Sequence, residues 1–320
     1  MSSLALTWTD HRRTRELCAA LNVPLLVIST TRRGALRYLE LAARTCAVLA
    51  GRRPQLLLVQ NPSLVLAALA LLLRPLWGYR LIVDAHNEAV TPFIHRQRAV
   101  LRLARWVLRR ADLTIVTNRQ LARQVEAHGG VPFVLPDRIP VPPAAESAAA
   151  QAGLFRLVLI ATFAPDEPIA AIFEAVQGMD LELYVTGRAS AAARAAAPAN
   201  AHFTGYLPEA DYWALLRSSD AVIDLTLMED CLVCGAYEAL ALGKPMLLSG
   251  NAASRELFGA AAVFTDNSAA DIRRALGRLR EQAPQLAAAA KSRRAELAAR
   301  WDAEARELGR RLPAAAAAPA

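Results

Sequence analysis

Short apolar runs recur along the chain, separated by longer stretches in which apolar residues return at helical spacing. In the first half these runs fall at residues 4–6, 25–28, 56–59, 81–83, 113–116 and 133–135. Runs of this length with helical segments between them predict parallel βαβ units in one doubly wound sheet. The pattern breaks at 136–153, where Pro136, Pro140, Pro142 and Pro143 lead into an alanine-rich stretch, the composition of an interdomain linker. It then restarts, with strands expected at 157–161, 181–185, 221–225, 246–248 and 262–264 and helices near 168–177, 209–217, 235–242, 252–258 and 269–280. The resulting expectation is an α/β protein with a first domain over 1–143, a linker over 144–153 and a second domain over 154–283. A helical segment follows over 284–312, with Leu286, Leu297, Trp301 and Leu308 as packing residues, and 313–320 form a frayed tail. The unbroken apolar decamer 64–73, closed by Arg74 and Pro75, is too short to cross a bilayer and predicts a buried helix.

Composition adds further constraints. With 320 residues, 54% of them hydrophobic, the chain can bury two cores, which excludes a disordered protein. The net charge of +8 is lopsided: residues 1–150 hold 20 Lys+Arg against 9 Asp+Glu, and residues 151–320 hold 17 against 20. Such a basic first half is expected to face an anionic surface, either lipid headgroups or a phosphate-bearing acceptor. Nucleic acid is disfavoured, because no aromatic platform or nucleic-acid module accompanies the arginines. Part of the excess sits in 95–110, where Arg96, Arg98, Arg102, Arg105, Arg109 and Arg110 occur without an acid while Val100, Leu103, Ala104, Val107 and Leu108 recur at helical spacing. Two readings of this basic amphipathic helix stand. Either it lies on an anionic leaflet with Leu101 or Trp106 dipping inward, or it packs its stripe on the sheet and leaves the arginines in water. Four cysteines are too few for a disulfide scaffold and no secretory signal precedes Trp8, so a cytoplasmic protein is expected, with a peripheral place at the inner membrane face left open. Cys231-x-x-Cys234 lacks a second cysteine pair or a histidine pair, and no metal site is expected there.

The most informative local feature is the pair Asp230 and Glu238, with Gly243-Lys244-Pro245 after it. Residues 221–225 read as a buried strand, 226–234 as a loop and 235–242 as a helix ending at Gly243. A loop at the carboxyl end of a strand opens onto the crevice where such sheets bind ligands, and a helix N-terminus there offers free N–H groups to phosphate. Two carboxylates at that place are acceptors for hydroxyl groups. The stretch resembles the acid-x7-Glu signature of GT-B glycosyltransferases, above all the retaining family four (group 1), with Asp230 in place of the usual first Glu and 239–245 as its continuation. The resemblance implies two Rossmann-like domains facing across a cleft, with the last helix crossing back to the first domain. It also implies that Asp230 meets hydroxyls of the donor sugar and Glu238 the ribose of the nucleotide.

Other positions follow from the same resemblance. His86, in Asp84-Ala85-His86-Asn87-Glu88, stands where family members place a histidine beside the donor sugar; a loop histidine bonded to nearby backbone is the alternative. Asp84 either orients that ring or caps a helix, and Asn87 is open in the same way. Where the family carries a Gly-rich loop after its first strand, this chain has His11, Arg12 and Arg13, as phosphate contacts or as a solvated helix start. The Arg and Lys that serve the leaving diphosphate after the first strand of the second domain are replaced by Ala-Thr-Phe-Ala-Pro-Asp-Glu-Pro at 161–168. Arg188 is the nearest substitute by position, together with the amides of the helix beginning at Gly235. Phe203 to Leu207 resembles the stretch that meets the nucleobase, which brings in Gly205 and Tyr206; Gly235, Ala236 and Tyr237 complete the expected donor side.

The expected activity is therefore a metal-independent, retaining transfer of a sugar from a nucleoside diphosphate to a lipid-linked or polysaccharide acceptor, with His86 and Asp230 at the reacting centre. The nucleotide sugar is a substrate, and no cofactor is expected. A nucleotide-sugar epimerase and a catalytically weak membrane-surface binding protein on the same scaffold are the alternatives. No Gly-x-Gly-x-x-Gly follows a strand and no Gly-x4-Gly-Lys-Ser/Thr is present, which argues against dehydrogenase and P-loop readings.

Overall fold

The apolar runs become strands of two parallel six-stranded sheets, each in its own unit. The computed structural model describes residues 2–61, 63–92, 97–144 and 153–312. One unit comprises Met1–Arg138 and Arg300–Ala320, the other Ile139–Ala299. The alanine-rich residues 145–152, the tail 313–320, and His95 and Arg96 of the basic segment lie outside the described residues.

The first unit runs β1 (Ser3–Thr7), α1 (Arg12–Leu21), β2 (Leu25–Val27), α2 (Gly34–Arg52), β3 (Leu56–Asn61), α3 (Leu64–Trp77), β4 (Arg80–Ala85), α4 (Asn87–Val90), α5 (Arg98–Arg110), β5 (Leu113–Val116), α6 (Arg119–Ala127) and β6 (Pro132–Val134). Its strand order is β2-β1-β3-β4-β5-β6, with every pairing parallel. Successive residues of a strand point to opposite faces, so Leu57 and Val59 pack with Leu66 and Val107 while Leu56 and Leu58 pack with Leu17 and Leu308. Both faces are covered, which is why β3 reads as a continuous apolar run.

The second unit runs β7 (Phe155–Leu159), α7 (Ile169–Val176), β8 (Leu181–Thr186), α8 (Ala191–Ala195), β9 (Ala201–Gly205), α9 (Glu209–Ser218), β10 (Ala221–Asp224), α10 (Cys234–Leu242), β11 (Met246–Ser249), α11 (Ala252–Phe258), β12 (Ala262–Thr265) and α12 (Ala269–Glu281). Its order is β12-β11-β10-β7-β8-β9, again all parallel. Five of these strands match the expected runs. The sixth, β9, is an edge strand of half-buried and exposed residues whose sequence, Ala-His-Phe-Thr-Gly, contains no apolar run to announce it. The last helix, α13 (Ala283–Arg311), places Leu286 and Leu297 in the cores of the second unit and Trp301 and Leu308 in a core of the first. The Trp301 indole donates to Pro136 O at 3.0 Å, and the Arg138 guanidinium lies 4.9 Å above its ring.

One helix departs from expectation. The decamer 64–73 does form part of α3, but only one side of the helix is inside: Leu66, Ala67, Ala70 and Leu71 are buried, whereas Leu72 is 67% exposed. In α5 the apolar stripe packs inward through Ala104, Val107 and Leu108, with Leu103 and Trp106 against the same core. The Trp106 ring is half-buried against that core, and the arginines Arg98, Arg102, Arg105 and Arg109 are left exposed.

Candidate functional site

In a doubly wound sheet, ligands bind outside the carboxyl ends of the strands where the winding direction reverses. In the second sheet that point lies between β7 and β10, the first and fourth of its strands in chain order. The loops after these two strands carry the departures and the motif noted above: Asp166 and Glu167 after β7, Asp230 after β10.

The β10 loop is fastened at several points. Thr226 N–H donates to Ser249 Oγ at 2.9 Å, Ser249 Oγ donates to Asn267 Oδ1 at 2.7 Å, and Asn267 Nδ2 returns to Thr226 O at 3.0 Å. The Thr226 hydroxyl donates to Asp166 Oδ2 at 2.7 Å, tying the two loops together. Asn251, which caps α11 through Ser254 N–H, also donates to Cys231 O at 3.0 Å. Asp230 sits half-buried on this held loop, and Glu238 half-buried in the second turn of α10. Glu238 Oε2 accepts from the Tyr212 hydroxyl of α9 at 2.5 Å; burial, with Glu238 beside it, raises the Tyr212 pKa and keeps that proton in place.

Asp224, the last residue of β10, was not singled out by the sequence. Its Oδ2 accepts from Gly235 N–H at 2.9 Å, at the start of α10. Burial, with Glu167, Glu238 and Asp166 nearby, pushes its pKa well above the ordinary carboxylate value, which favours the neutral acid. A Cβ on Gly235 would stand 2.5 Å from Asp224 Oδ2 and 2.5 Å from Ile160 Cδ1, so glycine alone fits there. The Gly235 amide, expected to face a phosphate, is thereby already engaged by Asp224. The Ala236 and Tyr237 side chains are buried in the core, with the Tyr237 ring edge-on to Phe258 at 5.5 Å. They lie on the inward face of the helix that carries Glu238.

After β7 the chain turns through Phe163 at φ 62°, and the Glu167 carboxylate gathers the Thr162 and Phe163 amides at 2.8–3.0 Å and the Thr162 hydroxyl at 2.6 Å. An acid thus occupies amides of the loop where the family has basic residues. At the neighbouring strand ends, Gly205 closes β9 at φ 71°, and exposed Tyr206 lies 5.7 Å beneath the exposed Arg188 guanidinium. The sequence placed Arg188 and Tyr206 separately on the donor side, and the structure makes them a pair. Among the described residues, no group of three or more His, Cys, Asp or Glu is arranged to hold a metal ion.

The carboxyl edge of the first sheet carries a second polar cluster. His86 precedes α4 and His11 precedes α1, and their rings meet edge to face at 5.2 Å. Thr7 Oγ1 donates to Gln60 Oε1 at 2.6 Å, leaving Gln60 Nε2 directed at His86 Nε2 at 3.5 Å. Burial lowers the His86 pKa, so the imidazole is neutral near pH 7. Asp84 neither orients this ring by a hydrogen bond nor caps a helix. It lies 4.0 Å from His86 Nε2 and is taken by Arg13, whose Nε and Nη2 donate to it at 3.0 and 2.8 Å. Arg13 Nη1 donates to Asp137 Oδ1 at 2.6 Å and Nη2 to Leu135 O at 3.0 Å. Burial alone would raise the Asp137 pKa, but Arg13 holds it below the usual carboxylate value. Arg13 is 5% exposed and fully engaged, which corrects its reading as a phosphate contact. Arg12 and Asn87 are half-buried at the starts of α1 and α4.

Two family models match the chain: a glycosyl transferase 4-like domain over residues 3–144 and a glycosyl transferase-like domain over residues 168–308. No curated protein sequence matches. Among solved structures, sucrose-phosphate synthase from Thermosynechococcus elongatus is similar at TM-score 0.78 and 16% identity, covering 97% of this chain and 98% of that one. HepE from Anabaena, in complex with UDP, is similar at TM-score 0.75 and 15% identity, covering 97% and 99%. A Listeria monocytogenes protein assigned as a UDP-N-acetylglucosamine 2-epimerase is similar at TM-score 0.62 and 15% identity, covering 91% of each chain.

Proposed function

Because the chain belongs to the GT-B glycosyltransferases of the family-four, group 1 type, we propose that it transfers a sugar from a nucleoside diphosphate to a lipid-linked or polysaccharide acceptor. The observation that carries this reading is the placement of Asp230 and Glu238 at the switch point of the second sheet, on a loop and helix start held by side-chain hydrogen bonds. Glu238, with one oxygen fixed by Tyr212, accepts from the ribose hydroxyls; Asp230 accepts from the donor sugar. Arg188 and Tyr206 supply a cation and an aromatic face on the side of the nucleotide. The first unit takes the acceptor beside neutral His86, whose imidazole hydrogen-bonds a sugar hydroxyl or the departing oxygen. Transfer retains anomeric configuration and proceeds without metal, and the protein works in the cytoplasm at an anionic membrane surface. The UDP bound by HepE makes uridine nucleotides the first donors to try.

A second reading is favoured by one observation, the acid-bearing loop after β7. With Glu167 on the Thr162 and Phe163 amides and no Arg/Lys pair in that loop, charge developing on the leaving diphosphate meets little compensation, and the scaffold would be catalytically weak. A screen of nucleotide sugars with lipid-linked and polysaccharide acceptors decides between them. A glycosylated product whose anomeric configuration matches the donor supports the transferase; an isomerised nucleotide sugar formed without acceptor supports the epimerase alternative; donor binding without turnover supports the weak scaffold.

A further inference from the structure

On the outer side of the first unit, α3 exposes Val65 at 42%, Leu72 at 67% and Leu76 at 70%, with half-buried Leu69 between them. These positions are spaced four, three and four apart, so they form one stripe along the helix. Helix α5 packs against α3 and exposes Arg98, Arg102, Arg105 and Arg109 at the same four, three, four spacing. Both helices run from the carboxyl to the amino edge of the same parallel sheet, and Arg74 of α3 donates to Arg110 O at 3.1 Å, fixing their ends side by side. Neither helix contains an acid. No helix among the described residues is long and apolar enough to cross a membrane.

We infer that this face docks on an anionic bilayer, with the α3 stripe entering the boundary of the acyl chains and the α5 stripe meeting lipid phosphates. An apolar row beside a basic row is the arrangement of an interfacial helix, here divided between two adjacent helices. A second copy of the chain fits less well. Three exposed aliphatic side chains fall short of the roughly 800 Å² per partner of a standard interface, and a two-fold arrangement would bring two arginine rows together. The inference draws on the proposed function only for its membrane-facing part and does not depend on donor chemistry.

The test is flotation of the full chain with unilamellar vesicles of phosphatidylcholine, alone or mixed with phosphatidylglycerol. The variants are Leu72→Glu/Leu76→Glu and Arg102→Glu/Arg105→Glu, each checked for an unchanged thermal melt. Wild type is expected to float with anionic vesicles and not with neutral ones, and to be released as salt is raised. Reversing each arginine should lower partitioning about fivefold or more, and the leucine variant should fail to float. Equal flotation of wild type and leucine variant, or no flotation at all, overturns the proposal. So does self-association in sedimentation velocity that the leucine variant abolishes while vesicle binding is absent. Donor titration of the leucine variant should match wild type, which keeps a failure here separate from a failure of the transferase reading.

Discussion

Replacing Gly235 with alanine tests whether the start of α10 is as tightly built as the structure indicates. The new methyl would stand 2.5 Å from both Asp224 Oδ2 and Ile160 Cδ1, so at least one neighbour must move. Overpacking of this kind costs about 1–3 kcal/mol. Displacing Asp224 also strains or breaks its 2.9 Å bond from Gly235 N–H; a buried donor left unsatisfied costs about 1–3 kcal/mol more. Alanine returns up to about 1 kcal/mol through helix propensity. The balance is a loss of about 3 kcal/mol, or roughly 6–12 °C in the melting temperature of a unit this size. Calorimetry on wild type and Gly235→Ala measures the shift, and hydrogen exchange should place it at α10. A variant that melts with wild type, or above it, refutes the reasoning, because helix propensity would then outweigh the contacts.

Three further outcomes are expected. Arg13→Leu leaves Asp84 and Asp137 without their shared cation and should cost about 3–5 kcal/mol in denaturant unfolding. Asp224 has a raised folded pKa, so its protonated form stabilises fully at low pH and that contribution fades as pH rises toward the folded value. Asp224→Asn keeps an acceptor for Gly235 N–H without the proton, and its melting temperature should vary less than that of wild type between about pH 4 and pH 8. His86 has a lowered folded pKa, so its contribution is present above the ordinary histidine value and lost as pH falls through the folded one. Thermal melts of wild type and His86→Asn below about pH 6.5 should therefore diverge, with wild type the more acid-sensitive relative to its own neutral value.

The layout was legible because parallel strands covered on both faces must be apolar throughout, as 56–59 and 221–223 are. β9 escaped because its five residues, Ala-His-Phe-Thr-Gly, mix polar and apolar side chains at a half-exposed sheet edge. α3 reads as wholly buried from composition, yet a helix beside a sheet can bury only one side; a sequence without polar residues gives no sign of which side is left out. In the candidate site, the Asp230 and Glu238 motif is local and could be read. The Arg13, Asp84 and Asp137 cluster joins residues up to 124 positions apart, for which no spacing rule exists. Asp224 left a faint signal, an acid closing an apolar strand shortly before a helix that starts with glycine. Tyr212 left none, since its pairing with Glu238 depends on how α9 and α10 are placed.

The central claim is that Glu238, held by Tyr212, grips the ribose of a nucleotide sugar. Calorimetric titration of the preferred donor into wild type, Glu238→Ala and Tyr212→Phe tests it most directly, with the donor's 2′-deoxyribose analogue run in parallel. Loss of a hydrogen bond to a charged group predicts that Glu238→Ala weakens donor binding about tenfold or more, and that Tyr212→Phe weakens it less. Both variants should also discriminate less between ribose and deoxyribose. A folded Glu238→Ala protein that binds the donor as tightly as wild type, with the same preference for ribose, would contradict the account.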